Sequence, residues 1–144
     1  MSQICAFANV RISLPAGWFD ISDDLLEGTP PTLAKQDGVG ALQFSVARYR
    51  SGAHPEISPE NLDALLEEFA ETRMLGAAAG IERGKSTSHY VGATFSHGGD
   101  LLRAWYSTNG SDVALVTYVA EAGSRNAAVE LAEAGVIVRS IDFD

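Results

Sequence analysis

Residues 90–120 contain three strand-like runs joined by Gly98-Gly99 and Asn109-Gly110, and no other stretch restricts the fold as strongly. A two-residue hairpin turn of the type I′ kind needs positive φ at both central positions, which Gly and Asn tolerate. With Thr108 facing Ser111, the second turn pairs Tyr106 with Val113, Trp105 with Ala114, Ala104 with Leu115 and Arg103 with Val116. The first turn pairs His97 with Asp100, Phe95 with Leu102, Thr94 with Arg103, Ala93 with Ala104 and Gly92 with Trp105. Side chains alternate across a strand. One face therefore carries Val91, Ala93, Phe95, Leu102, Ala104, Tyr106, Val113, Leu115 and Val119. The other carries Tyr90, Gly92, Thr94, Leu101, Arg103, Trp105, Ala114, Val116 and Tyr118. The first is a core face. The second is mixed, with one charge and a Trp set between small residues.

Upstream, residues 4–14 read as one strand, with Phe7, Asn9, Arg11 and Ser13 alternating with Ala8, Val10, Ile12 and Leu14 until Pro15 stops it. Trp18 and Phe19 read as packing residues. Residues 20–37 are a turn-rich acidic loop with a short strand at 32–35, and 41–50 form a strand, followed by a Ser51-Gly52 loop. Ser58-Pro59-Glu60 is a helix start: an N-cap serine, proline at the first helical position and an acid favoured by the helix dipole. Leu62, Leu65, Leu66 and Phe69 then recur at helical spacing opposite Glu60, Asp63, Glu67 and Glu71, and the helix ends near Gly76. Residues 81–88 enter the sheet. Ser124 caps a second helix with a stripe of Ala128, Leu131, Ala132 and Val138, and residues 140–143 either dock on the sheet or trail free.

The 144 residues predict a single domain spanning 1–144, long enough to bury a core without disulfide or metal. A net charge of −9 disfavours a nucleic-acid backbone as partner and suits solubility or a basic partner. One cysteine, Cys5, excludes an intrachain disulfide, and no apolar run approaches the ~20 residues of a membrane span. The expectation is a cytoplasmic protein without membrane insertion.

The apparent catalytic motifs fail. Gly84-Lys85-Ser86-Thr87 has Ala79 where a phosphate loop needs glycine and precedes a strand instead of a helix. Gly38-Val39-Gly40 lacks the third glycine of a dinucleotide site. Among the histidines, His54, His89 and His97, the last two stand roughly 26 Å apart along one strand, too far for one ion. Ser96 and His97, neighbours on one strand, point apart with no nucleophile elbow, while His97 and Asp100 face each other across the turn in solvent; Cys5 has no basic neighbour to make it a thiolate. No catalytic residue, metal ligand or cofactor site is assigned.

What remains is the mixed face, where Trp105, Arg103, Tyr90, Tyr118 and Thr94 are the candidate binding residues. Two readings compete. Either a helix or the N-terminal segment covers the face and Trp105 is core, or it is an open patch of the aromatic-plus-Arg kind enriched at binding hot spots.

The strand ending in Leu14-Pro15-Ala16-Gly17-Trp18, the Ser58-Pro59-Glu60 helix, the meander with Arg103-Ala104-Trp105-Tyr106 and the closing helix together resemble the PsbP/DcrB-like superfamily. The resemblance implies an α+β fold, a single antiparallel β-sheet of about six strands with two main helices packed on it. It also implies non-catalytic roles: a photosystem subunit, a nuclear transport cofactor that binds a small GTPase, envelope lipoproteins, and adaptor chaperones for type VI secretion effectors. The expected function is accordingly protein binding, as an adaptor, chaperone or immunity-type partner of a bacterial secreted effector. The rival is a small-ligand carrier or enzyme with a pocket between the sheet and residues 20–37. A homodimer through the Trp105 face is the third reading.

Overall fold

The computed structural model describes residues 2–48 and 56–143. The strands are β1 (Ser2–Phe7), β2 (Val10–Pro15), β3 (Trp18–Asp20), β4 (Thr32–Lys35), β5 (Gly40–Ala47), β6 (Ala79–Lys85), β7 (His89–His97), β8 (Asp100–Thr108) and β9 (Val113–Glu121). The helices are α1 (Pro59–Thr72) and α2 (Arg125–Arg139). The architecture is α+β with two helices, as expected, but the main antiparallel sheet has seven strands, ordered β3-β4-β5-β9-β8-β7-β6, and β1-β2 form a separate two-stranded sheet. The Ser51-Gly52 loop, the end of the 41–50 strand and His54 lie outside the described residues.

The first hairpin matches its expected register from Gly92↔Trp105 to His97↔Asp100. Gly98 and Gly99 both take positive φ, +57° and +90°, as a type I′ turn requires. The second is shifted by two residues: Tyr106 pairs with Leu115 and Trp105 with Val116, not with Val113 and Ala114. Asn109 does not adopt positive φ. Instead its side-chain oxygen accepts from the backbone N–H groups of Ser111 and Asp112 at 3.0 and 2.8 Å, and Thr108 Oγ1 donates to the Asp112 carbonyl at 2.7 Å. This Asx-type arrangement spans four residues where two were expected. A shift of two preserves side-chain parity, so the assignment of residues to faces survives. Val119 is the exception in burial: it is 39% exposed, not core.

The N-terminal strand is in fact a hairpin. Ala8 and Asn9, at φ +53° and +69°, turn the chain so that Phe7 pairs with Val10 and Ser2 with Pro15. Trp18 is buried, but Phe19, expected to pack, is half exposed because it points away from the core on a three-residue strand.

Both faces of the main sheet are covered. On the expected core face, Leu62, Leu66 and Phe69 of α1 pack with Val91, Ala93, Phe95, Leu102 and Ala104, each large apolar side chain contributing roughly 1.5–3 kcal/mol before entropic losses. Ser58 Oγ accepts from Asn61 N and Asn61 Oδ1 accepts from Ser58 N, a reciprocal cap on α1. Leu65 is only half-buried. On the opposite face, α2 lays Ala127, Ala134, Ile137 and Val138 over β9 and β5, and the β1-β2 hairpin adds Phe7, Val10 and Ile12. Phe7 meets Phe44 edge-on, ring centroids 5.1 Å apart. The predicted α2 stripe was rotated: Ala128 and Ala132 face solvent, and the buried side includes Glu130. Residues 140–143 dock, with Ile141 and Phe143 buried and Asp142 bridging Arg11 of β2 through two backbone hydrogen bonds of 2.8 Å.

Candidate functional site

The mixed face is interior. Trp105 is 1% exposed, Tyr118 0% and Arg103 8%, while Tyr90 and Thr94 are half-buried. Of the two competing readings, the covered face describes Trp105, Tyr118 and Arg103, while Tyr90 and Thr94 keep part of their surface open. Trp105 lies flat against Gly92, where an added Cβ would stand 2.4 Å from its Cδ1. Tyr90 covers Gly84 in the same way, and Tyr118 covers Gly40. An aromatic ring over a strand glycine fills the volume that the missing side chain leaves. Burial of the Trp105 face under α2 also removes it as a homodimer interface.

The single charge on that face is satisfied internally. Arg103 donates to the Gly80 carbonyl at 3.1 Å, to Thr94 Oγ1 at 2.8 Å and to Glu82 Oε1 at 3.2 Å, with its guanidinium 5.3 Å from the Trp105 ring centre. Burial presses its ionisation below the ordinary arginine value, opposed by the Glu82 carboxylate. Glu82 also faces Arg139 of α2 at 3.5 Å, so the cluster ties β6 to α2. A second polar group was not foreseen. Glu130, 3% exposed, accepts from the backbone N–H groups of Val39 and Gly40 at 2.9 and 3.1 Å and from Tyr118 Oη at 2.9 Å. Burial first, and then Glu130, push the Tyr118 phenol well above its usual range.

The catalytic-looking residues stay apart. Ser96, His97 and Asp100 sit exposed at the β7-β8 turn, with His97 paired to Asp100 across the strands and Ser96 to Leu101. Gly84-Lys85 ends β6 and is followed by β7, so no helix follows the phosphate-loop-like motif. Among the described residues no group of three or more His, Cys, Asp and Glu is arranged to hold a metal ion.

Two surface cavities matter. The larger, about 540 Å³, lies between β2, α2 and the β6-β7 turn, and its charged walls are bound to each other as Arg11–Asp142 or outward as Arg139–Glu82. The smaller, about 320 Å³, is a groove between α1 and the β6-β7 edge. Leu66, Ala70, Leu75, Ile81 and Phe95 make its floor and walls, and Asp63, Glu67 and Glu71 make its rim on α1. Ile81 is 51% exposed and Met74, on the adjoining turn, 87%. Neither cavity is lined by residues 20–37, where Asp20 Oδ1 accepts from Ser22 N and Oγ, Thr32 Oγ1 donates to the Pro30 carbonyl and Lys35 Nζ donates to Glu133 of α2.

No family model and no curated protein matches the sequence. Solved structures do. A mutant of the protein Mog1 superposes with a TM-score of 0.60 at 8% identity, over 99% of this chain and 96% of that one. Cyanobacterial PsbP (CyanoP) from Synechocystis sp. PCC 6803 superposes with a TM-score of 0.58 at 12% identity, over 97% and 91%. The fold is PsbP-like.

Identity this low speaks to the PsbP-like fold alone, and the site has to be argued from this chain's own residues. The two helices take opposite sheet faces, and the margin of α1 beside edge strand β6 is one place where apolar side chains gather in a groove; Ile4 and Val136, also exposed, line the larger cavity. Sequence reading assigned Leu66 and Phe95 to the core and Glu67 and Glu71 to a solvated helix side, both correctly. It had no signal that the chain leaving α1 would bring Leu75 and then Ile81 of β6 alongside them.

Proposed function

We propose that the chain is a non-catalytic protein-binding domain that receives its partner in the α1–β6 groove, and that it serves as an adaptor, chaperone or immunity-type partner of a secreted effector. The observation that carries the binding role is that half-buried Leu75 and half-exposed Ile81 line the groove beside its floor, with exposed Met74 next to Leu75 in the chain. Apolar side chains gathered in one concavity under a polar rim are characteristic of interaction sites, whereas isolated ones are ordinary surface. The adaptor role is drawn from the resemblance of fold and the acidic charge. No helix among the described residues is long and apolar enough to cross a membrane.

A photo-crosslinking residue placed at Met74 or at Ile81, in the native host, tests the binding role. The control is Leu26, 86% exposed in the loop after β3, at the other edge of the sheet from β6. One discrete protein adduct at 74 and 81, absent at 26, is the expected result. Equal adducts at all three positions, or adducts at 26 alone, would contradict it.

A further inference from the structure

The groove's rim is chemically one-sided. Asp63, Glu67 and Glu71 follow one another at i, i+4 and i+8 and so form a single acidic row along α1. Asp63 is matched by Arg83 of β6, with Nε 3.0 Å from Oδ1. Among the described residues, Glu67 and Glu71 have no cationic partner. Their placement works against the helix: like charges four residues apart repel, and Glu71 lies in the last turn, where the helix dipole disfavours a carboxylate. That turn holds no basic residue. Arg73, at the C-cap, lies over the Phe69 ring, 4.5 Å from its centre. The fold thus gains nothing from these two carboxylates, and they stand beside exposed apolar surface. A partner cation would remove the repulsion on docking.

Resting on the reading of the groove as the protein site, we infer that its occupant is an amphipathic protein segment that places apolar side chains on Ala70, Leu75 and Ile81 and lysine or arginine against Glu67 and Glu71. Opposite charge across such a rim sets partner choice and association rate more than total affinity. Addition of a strand to β6 is disfavoured: that edge carries Glu82, Arg83 and Lys85 and is broken by a bulge between Ala79 and Glu82, with Gly80 at φ +58°.

Three synthetic peptides of about 18 residues, with leucines at identical positions and the remaining positions mostly Lys, Gln or Glu, are titrated against the full chain by fluorescence anisotropy at about 50 and 300 mM salt. The Lys peptide is expected to bind best, and more weakly at the higher salt. Glu67→Lys with Glu71→Lys should weaken it at least about tenfold, and Ile81→Asp should weaken all three. Asp24→Lys with Glu27→Lys changes the net charge equally at a remote site and should matter less than about threefold. Equal binding of the Gln and Lys peptides, or an equal effect of the remote pair, overturns the basic occupant. So does failure of all three peptides to bind. In each case adducts at Met74 and Ile81 would still uphold the groove as a protein site, whereas adducts at Leu26 alone would remove the site itself.

Discussion

Trp105→Ala is expected to lower stability by about 3–5 kcal/mol, the range for truncating a buried Trp, and to depress the melting temperature by roughly 10 °C for a chain of this size. Trp105 is 1% exposed, sits on Gly92 and is roofed by the α2 and β1-β2 cluster. Its removal opens a void that the neighbours fill poorly, since the partner strand offers only a glycine beneath it. Arg103 loses the ring beside its guanidinium while keeping its hydrogen bonds. Chemical denaturation measures the loss. A variant as stable as the parent but deficient in partner binding would restore the open-patch reading of this face.

The second large effect is at Glu130. Glu130→Ala removes the acceptor for two backbone N–H groups and for the Tyr118 phenol. A buried donor stripped of its acceptor forfeits about 1–3 kcal/mol, and Tyr118 is fully buried while Gly40 is half-buried. A loss of about 3 kcal/mol in urea unfolding is expected, with Glu130→Gln losing less because its carbonyl oxygen still accepts. A loss below about 1 kcal/mol for the alanine variant would show that water replaces the carboxylate. The same contact carries a pH dependence. Burial and Glu130 raise the phenol's ionisation in the folded chain. The contribution of Tyr118 is therefore complete below its unfolded value near pH ~10 and declines as the pH rises above it. Tyr118→Phe should remove that alkaline decline.

The β7-β8 hairpin was legible because two adjacent glycines leave a type I′ turn as the natural solution. The β8-β9 turn was misread by two residues because Asn109 spends its side chain on the next two amides, a choice invisible in the Asn-Gly pair itself. Faces were still sorted correctly, since an even shift leaves parity intact. Residues 4–14 concealed a hairpin, as Ala8 carries a Cβ that ordinarily disfavours the positive φ it adopts. The α2 stripe was misplaced because alanines recur around the helix and do not by themselves mark its buried side, and Glu130 lies on that side because Tyr118 and the residues 39–40 amides, distant in sequence, meet it.

The same limit governs the site. A face with one arginine and a tryptophan reads as a binding patch until Glu82 of β6 and Arg139 of α2, far from Arg103 in sequence, are seen to close around it. With that face closed, the candidate surface moves to the apolar groove on the opposite side of the sheet, at the margin of α1. The groove was not legible because it is made by a loop path, not by any residue pattern.

That relocation stands on the burial of Trp105, and tryptophan fluorescence tests it directly. The chain has two tryptophans, so Trp18→Phe leaves Trp105 as the only tryptophan, read by excitation at the red edge where tyrosine does not absorb. The structure predicts blue-shifted emission and acrylamide quenching several-fold weaker than in the urea-unfolded chain. Red-shifted emission with quenching near the unfolded value would place Trp105 in water and return the functional surface to the face on which it lies.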